Sequence, residues 1–267
     1  MAIEWVISFL LLGAFVGVFA GMLGIGGGGI LVPVLGMIFA QMGFAEERIM
    51  HLALGTSIAS IIATSFASMR AHHSHSAVLW PIVKRLTPGI IVGTLVATYF
   101  AAHISNQILV VIFAVFMAYL FVQMFFQKQP DSSGLSASPR ELVAAGGVIG
   151  GISALVSIGG GALTVPYLVW RNCDVKKAIG TSSAVGFPIS IMATIGYAIN
   201  GWHETDTSQW IFGFVYVPAV LLIAITSTFT APLGAKLAHK LPVKVLKRVL
   251  GALILVLSLK LLWQIWG

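Results

Sequence analysis

The part of this sequence best suited to chemistry is a glycine run that occurs twice. Ile25-Gly26-Gly27-Gly28-Gly29-Ile30-Leu31-Val32-Pro33 is matched by Ile158-Gly159-Gly160-Gly161-Ala162-Leu163-Thr164-Val165-Pro166, an offset of 133 residues. Glycine carries no side chain to shield its backbone, so successive N–H groups can approach a ligand directly. A helix beginning near Gly29 or Ala162 adds the positive end of its dipole. An anion is the natural guest of such a place. Pro33 and Pro166 are expected about one turn into those helices, where proline's missing N–H does least damage. The competing reading is that the glycines only permit close helix packing, a common use of small residues in membranes.

A second matched pair follows in the same order. Leu54-Gly55-Thr56-Ser57 corresponds to Ile179-Gly180-Thr181-Ser182, now at an offset of 125 because the intervening loop is shorter. Thr56, Ser57, Thr181, Ser182 and Ser183 place hydroxyls near the starts of two apolar spans. They either donate to the same anion or bond their own helix carbonyls, as serine and threonine often do. The substrate-binding candidates are therefore Gly26, Gly27, Gly28, Gly29, Thr56, Ser57, Gly159, Gly160, Gly161, Ala162, Thr181, Ser182 and Ser183.

Other constellations are weaker. Arg70, His72, His73 and His75 gather at the end of one span, open to reading as a solvated loop, a proton-coupling or substrate-admission group, or a metal site. A single His-His-x-His run does not fix metal geometry, so no metal ligand is assigned. The one cysteine, Cys173, excludes an intrachain disulfide. No HExxH, GxSxG or GxxxxGK[ST] occurs, and the glycine runs sit in no βαβ unit that would make them a dinucleotide fingerprint. No catalytic residue and no cofactor is called for, and a membrane enzyme or accessory subunit finds no acid, base or nucleophile pair within the spans.

The elements that must position these residues are hydrophobic helices. Of 267 residues, 58% are hydrophobic and 9% charged, against roughly 25% charged in an ordinary soluble domain. Stretches able to cross about 30 Å of hydrocarbon, which takes about 20 helical residues, recur from end to end. The first, from Ile3 to Leu23, has no cationic n-region or small-residue cleavage site and reads as part of the mature protein. The net charge of +7 resides in short loops, which reflects topology and not nucleic-acid binding; Lys236 to Arg248 also attracts anionic headgroups.

Each half opens with an apolar run broken by the glycines, at Ile3 to Ala40 and at Leu142 to Trp170. Three spans follow in each: His51 to Met69, Trp80 to Ala102 and Gln107 to Phe126, then Ala178 to Ile199, Gln209 to Thr230 and Val243 to Trp266. If each broken run crosses once, lysine and arginine divide 9 against 5 between the two sides. If each is a hairpin returning to its starting side, they divide 13 against 1, with Lys260 inside the last span. Cytoplasmic loops carry the cationic excess, so the hairpin arrangement is preferred. A hairpin plus three spans is an odd number of crossings, which gives the halves opposite orientation and puts both termini outside the cytoplasm with Glu4, Glu46, Glu47, Glu204 and Asp206. The expected fold is an all-α integral membrane protein of two inverted-topology repeats, each a Gly-broken hairpin plus three transmembrane helices, 8 to 10 membrane segments in all. The repeats are residues 1–127 and 141–267, joined by a cytoplasmic linker at 128–140.

At Gly21 to Pro33, Leu54 to Ser57, Gly150 to Pro166, Ile179 to Ser182 and Ala231-Pro232-Leu233-Gly234-Ala235-Lys236-Leu237-Ala238, the chain resembles the TauE/SafE sulfite exporter family of membrane permeases. The resemblance implies transport of sulfite, sulfoacetate or a similar short sulfonate across a prokaryotic plasma membrane; it says nothing of the His72, His73, His75 loop. Joined to the two broken hairpins, it gives a secondary transporter working by alternating access, with a passive anion channel as the alternative. The partners expected are the anion, membrane lipids and a coupling proton or sodium ion; the sequence leaves the oligomeric state open.

Overall fold

The computed structural model describes residues 2–24, 26–126, 137–238 and 243–266, without the side chains at 124–126, 243–250, 262 and 264–266. Most of the expected linker lies outside the described residues. The first half contributes α1 (Ile3–Leu23), α2 (Gly28–Gln41), α3 (Glu46–Ser74), α4 (Trp80–Ala101) and α5 (Asn106–Phe126). The second contributes α6 (Pro139–Leu155), α7 (Gly161–Trp170), α8 (Val175–Asn200), α9 (Val217–Ala238) and α10 (Val243–Trp266). Among the described residues, five helices, α1, α3, α5, α8 and α9, are long and apolar enough to cross a bilayer. Large apolar side chains on the outside, among them Val92, Val115, Leu221 and Phe229, are more than half exposed. A surface of that kind is suited to lipid and not to water. The chain is an all-α multi-pass membrane protein, apart from one short hairpin.

Both broken runs break where expected. Helix α1 ends as Gly24 takes a left-handed φ of 68° and its N–H closes on the Ala20 carbonyl. Helix α6 runs out at Leu155, and Ser157, the equivalent of Gly24, also adopts a positive φ, 50°. The chain then turns through left-handed Gly27 and Gly160 into α2 and α7. Pro33 and Pro166 lie deeper than expected, each the sixth residue of its helix. At that depth the ring removes a due hydrogen bond, so the carbonyls of Gly29 and Ala162 lose their usual donor four residues on.

Packing exchanges helices between the halves, and small residues make it possible. Along α1 and α9, a Cβ on Gly13 would meet Ile223, one on Gly17 Ser227 and one on Gly21 Ala231. Numbers climb together, so the two helices run parallel. Likewise Gly146 and Gly150 of α6 approach the backbone of Leu86 and Ile90 on α4, again in parallel. Helices α3 and α8, which carry the matched Thr-Ser pairs, cross antiparallel: Ser65 meets Ser190 while Ser68 meets Ser183. The first turn of α3 is tied to the segment after α8 by the Arg48–Glu204 ion pair at 2.8 Å. At the opposite end of the molecule, Glu141 pairs with Arg171.

One span is displaced from its expected position. The stretch Gln209 to Thr230 does not form a helix throughout; α9 begins at Val217, and residues 211–216 make the hairpin β1 (Ile211–Phe212) and β2 (Val215–Tyr216). Gly213 at φ 58° and Trp210 at φ 59° turn the chain there, and Asp206 organises the approach by accepting from Ser208 and Gln209. The hairpin folds inward: Phe214, Val215 and Tyr216 are buried, with Tyr216 among Phe9, Phe39 and Phe44. Its apolar residues read as membrane span because they face protein instead of water.

The helix contacts predict a paired result. A methyl group on Gly93 would run into the Gly147 carbonyl, whereas one on Gly147 would meet nothing nearer than 3.7 Å. Gly93→Ala should lower stability in detergent by about 1–3 kcal/mol, and Gly147→Ala should be neutral or stabilising through helix propensity. Thermal unfolding followed by circular dichroism compares the two; equal midpoints would refute the packing described.

Candidate functional site

The two helix breaks meet each other at the centre of the molecule. A Cβ built on Gly26 would lie 2.8 Å from the Gly159 Cα, and one on Gly159 would lie 3.2 Å from the Gly26 Cα. Gly26 also holds a φ of 76°, which an L side chain rarely adopts. Backbone therefore touches backbone here. Gly26 and Gly159 are equivalent positions, separated by the repeat offset of 133, and Ser65 and Ser190, whose hydroxyls lie 3.5 Å apart, are separated by the other offset of 125. Both contacts join residues that the sequence offsets pair with each other.

Around the contact lies a narrow crevice lined by Ala20, Gly24, Gly26, Thr64, Ser65, Ser68, Gly159 and Ser183, too tight to admit water. Ser68 donates to Ser183 at 3.0 Å, and Thr64 donates to Ser227 of α9 at 2.8 Å. Ser182 donates to the Ile179 carbonyl at 2.7 Å and reaches the Gly24 carbonyl at 3.3 Å. The first amides of α7 to return to the loop are those of Leu163 and Thr164, both donating to the Gly160 carbonyl. Among the described residues, the amides of Gly161 and Ala162 have no backbone acceptor. Ser57 is fully buried and its hydroxyl has no partner among the described residues.

Not every expected residue faces this centre. Thr56 accepts from the Tyr216 N–H and Thr181 from the Leu79 N–H, each at 3.0 Å. These are equivalent bonds, and they pin the chain entering α9 and α4. Gly29 looks toward Ile254 and the Met117 sulfur, a packing position against α10 and α5. Gly27 and Gly160 shape the turns, packed on Val16 and Ile189. Of the thirteen candidates, Gly26, Gly159 and Ser183 line the crevice itself.

Sequence reasoning missed Gly24, Thr64, Ser65, Ser68 and Ser190. A signal existed: Thr56, Ser60, Thr64, Ser68 and His72 recur every fourth residue through an apolar span, which puts them on one face of a helix. The histidines near that end do not converge. His72 is buried and bonds the Gly21 carbonyl at 2.9 Å through Nε2, His73 Nδ1 accepts from the Trp80 indole, and His75 lies against the Ala71 carbonyl.

Similarity to known proteins covers almost the whole chain. The family described as Sulfite exporter TauE/SafE matches residues 9–261. A probable membrane transporter protein of Haemophilus influenzae is 34% identical over 258 residues, spanning 96% of this chain and 98% of the relative. One from Methanocaldococcus jannaschii is 29% identical, spanning 98% of this chain and 100% of its own length. No solved structure matches.

Two predictions follow from the hydroxyls and the thiol. Thr56→Val takes the hydroxyl acceptor from the buried Tyr216 amide and Thr181→Val from the half-buried Leu79 amide, and each should cost about 1–3 kcal/mol of stability, more at Thr56. Thr→Ser at either position should restore most of it, as read by thermal unfolding; full stability in the valine variants would remove the pinning role. Burial raises the Cys173 thiol from 9.0 to about 11, with Asp174 adding to the rise and Lys177 opposing it. A maleimide should therefore react slowly at neutral pH with the folded protein, faster as pH climbs toward that value, and at once after denaturation. Because the folded thiol is raised, its contribution to stability is present below about 9 and is lost as pH rises through about 11.

Proposed function

The chain belongs to the TauE/SafE sulfite exporter family, and from that premise we propose that it is a secondary transporter carrying a small sulfur-containing anion, sulfite, sulfoacetate or a similar sulfonate, across a prokaryotic inner membrane. The observation that carries this reading is the backbone contact of Gly26 with Gly159, where two interrupted helices from opposite halves meet. Interrupted helices at equivalent places in two repeats are the arrangement that transporters use to hold a substrate at mid-membrane. The starts of α2 and α7 supply amides and the positive ends of two helix dipoles, which favour a negative guest.

Under this reading residues 1–127 and 141–267 are repeats of opposite orientation joined by 128–140. Parallel packing of α1 on α9 and of α6 on α4, together with the antiparallel crossing of α3 and α8, supports it. Gly26, Gly28, Gly159, Gly161 and Ala162 present backbone to the anion, Gly27 and Gly160 shape the turns that carry them, Gly29 packs the start of α2 against α10 and α5, and Ser57, Ser182 and Ser183 add hydroxyls, within a frame held by Thr56 and Thr181. The crevice is closed in this structure, so binding requires the halves to part around an approximate twofold axis through the Gly26–Gly159 and Ser65–Ser190 contacts. Alternating access follows when they part toward one side at a time, with a proton or sodium ion supplying the drive. No step changes the anion chemically.

Gly159→Ala tests the site with least damage to the fold, since Gly159 is not in the left-handed region that Gly26, Gly27 and Gly160 occupy. The added methyl should wedge the two loops apart by a few tenths of an ångström and lower transport by about tenfold or more, with normal insertion. Uptake of radiolabelled sulfite, sulfoacetate and thiosulfate into proteoliposomes, with and without imposed proton and sodium gradients, provides the readout. Accumulation against a gradient supports the transporter. Equilibration alone would indicate an anion channel, and unaltered uptake by Gly159→Ala would remove the site.

A further inference from the structure

The approximate twofold axis relates two approaches to the central contact, and they differ in chemistry. On the approach toward the end of α3, the crevice is lined by Thr64, Ser68 and Ser183. The offset of 125 places Ile189 at the equivalent of Thr64, Ala193 at that of Ser68 and Ile58 at that of Ser183. All three are buried. On α3 and α8 one approach is a row of hydroxyls and the other is hydrocarbon; the other approach carries buried Ser153 and Ser157 in place of the lining Ala20 and Gly24, and Ser157 donates to the Leu54 carbonyl.

Among the hydrogen bonds of the described residues, one at each approach is equivalent to one at the other. His72 of α3 bonds the Gly21 carbonyl, in the last turn of α1, at 2.9 Å. Tyr197 of α8 donates to the Ala154 carbonyl, in the last turn of α6, at 3.0 Å. Adding 125 to 72 gives 197, and adding 133 to 21 gives 154, so both partners of one bond map onto both partners of the other. His72 is 1% exposed and Tyr197 0%. Each ties the helix leading into a glycine break to the central helix of its own half. Tyr197 is covered further by the hairpin without counterpart: Phe214 donates its N–H to the Tyr197 carbonyl at 3.3 Å, and its ring lies 6.5 Å from the phenol.

We propose that His72 and Tyr197 are the two gate residues of this transporter, and that the anion's route from the cationic side runs along Ser68, Thr64 and Ser183 to the Gly26–Gly159 contact once the His72 bond opens. The proposal rests on the transport reading for its purpose but not for its geometry. His72 and Tyr197 are positioning residues: each acts through the helix end that it holds. On the approach behind Tyr197, Ile58, Ile189 and Ala193 offer an anion nothing in exchange for its water, and the Ser157 hydroxyl is already given to the Leu54 carbonyl.

Ser68 and Ala193 are equivalent positions, one on each approach, and the chain's single cysteine makes a clean background easy to build. In Cys173→Ala protein, Ser68→Cys and Ala193→Cys are labelled with a membrane-impermeant methanethiosulfonate in vesicles of either orientation. His72→Ala should speed labelling at Ser68→Cys from the cationic side by roughly three- to tenfold, the population shift that loss of one net hydrogen bond produces. It should leave Ala193→Cys unchanged. Tyr197→Phe should do the reverse from the other side. His72→Gln keeps an N–H donor and should return labelling toward the parental rate. Unchanged rates in both gate variants, or equal acceleration on both sides by either one, would overturn the proposal. Labelling needs no transported anion, so these rates decide the gates even where the uptake experiment fails.

Discussion

Broken backbone in the middle of a membrane has no water to satisfy it, and everything in this protein is arranged around two such breaks laid against each other. An unpaired amide or carbonyl in hydrocarbon costs several kcal/mol. Gly26 and Gly159 can touch because neither carries a side chain, and the surrounding polar groups are those that such a junction lacks. Ser182 reaches the Gly24 carbonyl, Ser157 donates to the Leu54 carbonyl, and His72 and Tyr197 each meet a carbonyl in the last turn of the helix before a break. The Thr56 and Thr181 hydroxyls accept from the amides of Tyr216 and Leu79, the residues that precede α9 and α4. Hydroxyl-bearing residues are abundant on α3 and α8 because those two helices flank both breaks.

Holding two breaks together requires the helices around them to be clamped, and neither half can do this alone. The glycine-lined face of α1 packs on α9 and that of α6 packs on α4, so each half lends its leading helix to the other. Backbones approach closely enough that dispersion and weak C–H contacts, not hydrophobicity, hold them, since lipid is as apolar as any side chain. The result is a frame of exchanged helix pairs with α3 and α8 crossing inside it.

The duplicated glycine runs, the matched Thr-Ser pairs and the apolar composition were enough to read helical membrane architecture and the place of the breaks. They mark what lipid and backbone chemistry demand locally. Three things were not legible. The hairpin at 211–216 has the same apolar composition as a span, and only its burial against Phe9, Phe39 and Phe44 separates the two. The partners of Thr56 and Thr181 lie 160 and 102 residues away in sequence, and spacing gives no hint of them. The crevice residues Thr64, Ser65 and Ser68 were visible as a row of every fourth residue, but without the position of α8 nothing said what that row faced.

The symmetry also constrains how such a molecule can have two states of different energy. On the proposed transport reading, Gly26 with Gly159 and Ser65 with Ser190 pair with each other, so exchanging the two halves leaves each of these pairs in place. Any preference must come from residues off the axis, where the repeats have diverged: threonine against isoleucine at 64 and 189, serine against alanine at 68 and 193, histidine against tyrosine at 72 and 197. The hairpin that covers only Tyr197 adds buried aromatic surface to one side alone. A transporter of the kind proposed, built this way, keeps its anion-facing backbone common to both states. Its resting bias sits in side chains that can change without disturbing the site.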